Sequence, residues 1–235
     1  MNDRMVKGMY GKDSKQVLIV SGGSIEDVFV LNLLHENKYH TVIACDRGME
    51  FFARCGICPD LILGDFDSAR RDVVDAFRQR EEVTMEQFPA QKDWTDTELA
   101  VRRALALSPD RIDLVGATGS RLDHVLANLQ LLALGLQAGT PIFLLDAHNR
   151  IRLTDQPVTL KKTEQFGDFV SLIPFGGPVR GLSLQGMKYP LQDAVLTPDI
   201  SLGISNEITE ETAEISFTEG ALFVMETRDK TDGSS

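Results

Sequence analysis

Up to Leu145 the apolar residues fall in short unbroken runs, each leading into a glycine- or aspartate-bearing turn and then into a stretch with helical spacing. Gln16 to Val20 enters Ser21-Gly22-Gly23; Ser24, with Asp27 three residues on, then caps a helix carrying Ile25, Val28, Leu31 and Leu34. Thr41 to Ala44 enters Asp46-Arg47-Gly48 and a short helix through Phe51 and Phe52, and Leu61 to Leu63 enters Gly64 and a helix from about Ala69 to Arg80. Val83 to Phe88 leads to a loop ended by Thr95 and Glu98, a capping box that starts a helix at Thr95. Ile112 to Val115 leads through a Gly116–Arg121 loop to a helix bearing Leu122, Val125, Leu126, Leu129, Leu132, Ala133 and Leu136, with Ser120 and Asp123 at capping distance. Pro141 to Leu145 reads as a sixth strand. Strand followed by helix, repeated without hairpins, predicts a mostly parallel α/β sheet with flanking helices.

Beyond Asn149 the helical stripes stop. Ile151 and Leu153, Val158 and Leu160, Phe169 to Ile173, Leu182 and Leu184, Leu202 and Ile204, Ile215 and Phe217, and Leu222 and Val224 form short runs, several alternating, between Gly, Pro, Asp and Asn. This pattern predicts an all-β sandwich domain over 149–235, following an α/β nucleotide domain over 1–148.

The chain has 235 residues and a net charge of -11, which argues against a nucleic-acid groove built on cationic neutralisation of phosphates. No apolar stretch has the length of a membrane span and the N-terminus lacks the hydrophobic centre of a secretion signal, so a cytoplasmic protein without membrane contact is expected. Cys45, Cys55 and Cys58 are an odd set without a disulfide framework. Cys55-Gly-Ile-Cys58 runs into Pro59 and a strand instead of opening a helix, and no second Cys or His pair accompanies it, so neither a redox pair nor a zinc site is expected.

The chemistry gathers in the loops that follow the strands, which in a parallel sheet share one edge. Those loops carry Gly22 and Gly23, Asp46 and Arg47, Asp65 and Asp67, Lys92 and Asp93, and Gly119 with Arg121, Asp123 and His124. In an extended Asp65-Phe66-Asp67 segment the two carboxylates face one point and Phe66 turns away as an apolar brace, a geometry suited to a shared Mg²⁺. Asp96, in the first turn of its helix, also complements the helix dipole. Like charges about 4 Å apart repel by roughly 1 kcal/mol in water and roughly 4 kcal/mol at an effective dielectric of 20, so either a divalent cation intervenes between the aspartates and a polyphosphate or the ligand is itself a cation. Arg47, Lys92 and Arg121 add positive charge, and glycine turns at helix starts offer N–H groups to phosphate oxygens. Neither the Walker pattern nor Gly-x-Gly-x-x-Gly occurs.

CDRG at 45–48, PDLILGDFDS at 59–68, KDWTDTELA at 92–100, GATGSRLDHVLANL at 116–129 and GISNE at 203–207 together resemble the thiamine pyrophosphokinase family over nearly the whole chain. The resemblance implies transfer of the terminal diphosphate of ATP to the hydroxyl of thiamine, and a homodimer with thiamine between subunits, the 149–235 domain being the one that binds thiamine and dimerises. It implies Asp65, Asp67 and Asp93 as Mg²⁺ ligands, with Asp46 and Asp96 counted among the reacting groups. Gly22, Arg47, Lys92, Gly119, Arg121, Asp123 and His124 are then nucleotide-binding, and Ser205 and Asn206 hydrogen-bond the thiamine pyrimidine. Some members place a tryptophan near the C-terminus against thiamine, whereas Trp94 is the single tryptophan here, leaving Phe217 or Phe223 to stack or to fill the core. Two other readings stand beside this one: a metal-dependent nucleotide-sugar transferase of the Asp-x-Asp type, and a non-catalytic thiamine or nucleotide sensor.

Overall fold

The computed structural model describes residues 14–89 and 93–230 and divides after Ala147 into two compact units. The first unit runs β1 (Gln16–Val20), α1 (Asp27–Glu36), β2 (Thr41–Cys45), α2 (Met49–Cys55), β3 (Leu61–Gly64) and α3 (Arg71–Arg78). It continues with β4 (Thr84–Gln87), α4 (Asp96–Leu105), β5 (Arg111–Val115), α5 (Leu122–Gln130), α6 (Leu132–Ala138) and β6 (Ile142–Leu145). Its strands lie in the order β4-β3-β2-β1-β5-β6, with every pairing parallel. Helices cover such a sheet on both faces, which is why β1, β3, β5 and β6 are buried along almost their whole length. Polar residues interrupt β5, where the buried Arg111 Nε donates to Asp113 at 2.6 Å and Tyr39 donates its hydroxyl to the same carboxylate at 2.7 Å.

The order reverses direction between β1 and β5. Connections from β1 step outward to β2, β3 and β4, while those from β5 step the other way to β6. The loops after β1 and β5 therefore diverge above a crevice, the place where open α/β sheets bind ligands.

Two helices depart from the expected pattern. Ser24 donates its N–H to the Thr118 carbonyl at 2.7 Å and stays in the turn, so α1 starts at Asp27 after a Glu26 N-cap with no side-chain cap bond. Its buried residues are Val30 and Leu33, whereas Val28 and Leu31 are exposed. The sequence DVFVLNLL is apolar almost all round, so spacing alone does not choose the face. The helix expected from Leu122 to Leu136 is two helices meeting at Leu131, with Arg121 and not Ser120 at the N-cap of the first and Leu122 and Leu126 exposed.

The second unit holds β7 (Asn149–Thr154), β8 (Val158–Lys161), β9 (Phe169–Gln185), β10 (Leu191–Leu196), β11 (Thr212–Ser216) and β12 (Glu219–Thr227). All described pairings among these strands are antiparallel. The 17-residue β9 pairs with β12 along its first part and with β10 and β11 along its second, over a core that includes Val158, Leu160, Val170, Leu172, Leu182, Leu184 and Leu222. Leu202 and Ile204, expected in a strand, are exposed in a turn, and β10, whose LQDAVL has no clean alternation, was not expected. Phe223 is buried edge-on to Phe175 with ring centroids 5.4 Å apart, and Phe217 packs against the core, so both serve the interior.

Candidate active site

The loop after β1 is fixed by the loop after β5. Gly23 donates its N–H to the Gly116 carbonyl at 2.7 Å, and a Cβ at Gly23 would stand only 2.3 Å from the Thr118 carbonyl oxygen, so no larger residue fits. These contacts engage the N–H groups of Gly23 and Ser24, so the glycine turn after β1 uses them to hold the neighbouring loop. Gly22 faces Arg47, with a Cβ there 3.0 Å from that of Arg47. The loop after β5 is held further by Thr118, which donates to Asp146 at 2.9 Å, and by the buried Asn128, whose amide donates to the Ala117 carbonyl at 2.8 Å.

Around these loops opens a cleft of about 690 Å³, lined in part by Gly22, Asp46, Arg47, Asp65, Asp96, Gly119, Arg121 and His124. The carboxylates of Asp46, Asp65 and Asp96 lie within 4.8 Å of one another. Each arrives from a different strand-to-helix connection. Asp46 follows β2 with φ 47°, Asp65 follows Gly64 at the end of β3, and Asp96 opens α4. The start of α4 is set by Thr95, whose hydroxyl accepts the Glu98 N–H at 3.2 Å. The Glu98 side chain does not complete a capping box and pairs with Arg102 at 2.8 Å. Thr97 then meets Ser21 in a buried 2.7 Å hydroxyl–hydroxyl hydrogen bond that ties α4 to the end of β1.

The grouping differs from the expected Asp65, Asp67 and Asp93. Phe66 is buried in the core with φ 63°, so the Asp65–Asp67 segment is not extended, and Asp67 donates its N–H to the Asp65 carboxylate at 3.0 Å. Phe66 is buried as the expected brace, but the carboxylate group that forms is Asp46, Asp65 and Asp96, without Asp67. Asp93 is exposed ahead of α4 and outside the cluster, and Lys92 lies outside the described residues.

Burial holds the Asp46 carboxyl above its ordinary range, the nearby Asp96 and Asp65 charges add to this, and a hydrogen bond from Ser68 opposes it. Its Oδ1 is buried with no hydrogen-bond partner. At the cleft rim Arg121 pairs with Asp123 at 2.5 Å, which pulls the Asp123 carboxyl down to about 2, while Asp123 also accepts the His124 N–H at 3.0 Å. Trp94 lines the cleft beneath the Arg102 guanidinium, 4.7 Å from its ring centroid. Ser21, Ser68, Thr97, Thr118 and Asn128 were not among the expected site residues, although four of them lie inside the quoted motifs, and their place along the cleft follows from the fold.

In the second unit, Ser205 is exposed with φ 57° and its N–H donates to the Ser171 hydroxyl at 3.0 Å. Asn206 is buried, and its side-chain amide bonds the backbone of Tyr189.

Comparison with known proteins agrees in both units. The family model described as the thiamin pyrophosphokinase catalytic domain matches residues 32–144, and that of the thiamin pyrophosphokinase vitamin B1 binding domain matches residues 156–222. The thiamine pyrophosphokinase of Bacillus subtilis is 33% identical over 92% of this chain and 100% of its own length. The crystal structure of the thiamine pyrophosphokinase from Bacillus subtilis superposes with a TM-score of 0.83 at 33% identity, covering 92% of this chain and 100% of that one. That of the thiamin pyrophosphokinase from Geobacillus thermodenitrificans gives 0.79 at 31% identity, covering 92% and 99%. With both domain models matched in order and relatives aligned along nearly their full length, this chain belongs to the thiamine pyrophosphokinase family.

Proposed function

We infer that the protein transfers the terminal diphosphate of ATP to the hydroxyl of thiamine, giving thiamine diphosphate and AMP. The observation that carries this reading is the convergence of Asp46, Asp65 and Asp96 at the switch-point edge of a parallel sheet, in a chain of this family. Three carboxylates so close repel unless a cation joins them, and the buried Asp46 Oδ1 has no donor of its own, so the set fits a hard divalent ion such as Mg²⁺. Asp46, Asp65 and Asp96 would hold it, and it would supply charge neutralisation at the phosphate oxygens. Asp67 and Asp93 stay outside this set.

The remaining work belongs to the chain itself. Arg47 and Arg121 bring positive charge to the cleft, Arg121 exchanging Asp123 for phosphate, and the Gly119–Arg121 segment lies ahead of α5, where N–H groups favour anions. In the transfer, the thiamine hydroxyl oxygen forms a bond to the β-phosphorus of ATP. The bond from that phosphorus to the oxygen bridging to the α-phosphate breaks, AMP leaves with that oxygen, and the hydroxyl proton is released to solvent. Alignment and charge neutralisation govern such transfers more than a strong base does.

The first unit is thus assigned to ATP and the second, with Ser205, to thiamine. A homodimer belongs to the same proposal, since α1 and α5 present Val28, Leu31, Leu122 and Leu126 to solvent. A cytoplasmic location fits reduced cysteines, and no helix among the described residues is long and apolar enough to cross a membrane. The nucleotide-sugar transferase and the sensor gain no support from the matched families. The test is incubation with ATP, Mg²⁺ and thiamine, with nucleotides separated by chromatography. AMP formed only when thiamine is present supports the reading; stoichiometric binding without AMP, or UDP release from UDP-sugars, contradicts it.

A further inference from the structure

Trp94 is 47% exposed and is the one aromatic residue among the exposed large hydrophobic side chains described in the first unit. It lines the same cleft as Asp46, Asp65 and Asp96, and besides the small imidazole of His124 it brings the one aromatic ring to that lining. The start of α4 builds its setting. Thr95, the next residue, caps the helix by accepting the Glu98 N–H, and Glu98 Oε1 accepts from Arg102 Nε at 2.9 Å and from Nη2 at 2.8 Å. Glu98 and Arg102 stand four apart on one stripe of the helix. The guanidinium held in this way lies over the Trp94 ring, 4.7 Å from its centroid, and Arg102 is not itself among the lining residues. A ring open to the cleft and braced by a planar cation has the character of a prepared stacking face.

The proposed reaction offers two candidates for that face, the adenine of ATP and the heterocycles of thiamine. Charge separates them. Thiamine is a cation and would bring a second positive charge to a ring already beside a guanidinium, whereas neutral adenine stacks without that cost. Position favours the same choice. Phosphates that meet an ion at the acid cluster leave the base further along the same cleft, where Trp94 lies, two residues from Asp96 in sequence.

We propose that Trp94 stacks on the adenine of ATP and that Arg102, held by Glu98, is a positioning residue for the Trp94 ring. The proposal rests on the ATP reading of the first unit and deepens it.

Trp94 is the single tryptophan of the chain, so the fluorescence of the full-length protein reports on this ring alone. Without thiamine, ATP with Mg²⁺ quenches that emission saturably, and AMP does so too. Inorganic tripolyphosphate, which has the phosphates and no base, binds in calorimetry without quenching. W94A weakens ATP binding by about tenfold or more in calorimetry, the scale of losing one base–aromatic contact, and leaves the affinity for tripolyphosphate unaltered. W94F, which keeps a ring, recovers most of the loss. R102A reduces the quench by saturating ATP and weakens ATP binding less than W94A does, and adding it to W94A brings no further loss. Equal quenching by tripolyphosphate, or an unmoved ATP affinity in W94A, overturns the stacking role, and quenching by thiamine in place of ATP gives the ring to the other substrate. A further loss in the double variant makes Arg102 an independent contact and overturns its positioning role. Absence of thiamine-dependent AMP formation in the unsubstituted protein sinks the functional reading itself, whereas normal turnover without an ATP-induced quench sinks only this inference.

Discussion

Asp67 donates its backbone N–H to the Asp65 carboxylate at 3.0 Å across a Phe66 held at φ 63°. This turn puts Asp65 with Asp46 and Asp96 and leaves Asp67 out of the cluster. Three carboxylates sharing so small a space store repulsion in the protein without its ion. Each of D46N, D65N and D96N is therefore expected to lower kcat by about a hundredfold or more, the scale of losing one charge-stabilising group. The same variants should keep or slightly raise the melting temperature in EDTA, and lose the upward shift that Mg²⁺ gives the unsubstituted protein. Calorimetry with and without Mg²⁺ reads both effects, and a fall in melting temperature in EDTA would show that the cluster is not repulsive.

The Ser21–Thr97 hydroxyl pair, buried at 2.7 Å, carries the start of α4 against the end of β1. T97V removes this bond and leaves the Ser21 hydroxyl with Cys45 as a remaining partner, at a cost of about 0.5–1.5 kcal/mol of stability. Because Asp96 precedes Thr97, activity should fall as well, by about tenfold or more if the helix start moves by a fraction of an ångström. The S21A/T97V double variant is expected to be less destabilised than the sum of its parts, since each single variant already breaks the one bond the two hydroxyls share. Urea unfolding of the three variants measures this, and strict additivity would show that the pair does not act as a unit.

Burial pushes the Cys45 thiol up to about 12 from its ordinary 9.0, opposed by hydrogen bonds with Ser21 and Thr97. The folded chain keeps that proton where the unfolded chain gives it up, so this contribution to stability is complete below pH 9.0 and is lost as pH rises toward about 12. Desolvation raises the Tyr39 hydroxyl too, and acts in the same direction. Unfolding midpoints should decline with alkaline pH less steeply in C45A than in the unsubstituted protein. Iodoacetamide at pH 8 should leave Cys45 unmodified in the native chain, and mass-spectrometric detection of Cys45 alkylation without unfolding would contradict the assignment.

Leu122 and Leu126 are 72% and 61% exposed on α5, four residues apart on one stripe. If a second copy covers this stripe, L122E/L126E places charge in an apolar contact and yields monomer at concentrations where the unsubstituted protein is dimeric. Light scattering coupled to size-exclusion chromatography distinguishes the two. An unaltered dimer moves the interface elsewhere, and a monomeric unsubstituted protein removes the dimer from the account.

The strands of the first unit were legible because parallel strands, covered on both faces, read as unbroken apolar runs: Leu61–Leu63 and Ile112–Val115 stand where the pattern puts them. The Thr95 cap was legible for a local reason, a hydroxyl three residues ahead of an N–H that needs an acceptor. The buried face of α1 was not, because Val28 to Leu31 are all apolar and only packing decides between Val28 and Val30. The membership of the acid cluster was hidden in one dihedral angle, since an aromatic residue with positive φ is uncommon and alternation along an extended segment was the better guess at Phe66. The engagement of Asn206 with Tyr189 depends on a pairing of residues 17 apart in a loop-rich region, which no short motif encodes.

The most direct test of diphosphate transfer at the acid cluster is to follow ATP labelled in its γ-phosphate through one turnover with thiamine and Mg²⁺. Attack at the β-phosphorus carries the label into thiamine diphosphate, in a one-to-one ratio with unlabelled AMP, and D65N forms both products about a hundredfold more slowly or slower still. Label in thiamine monophosphate beside ADP, or unimpaired label transfer in D65N, would contradict the account.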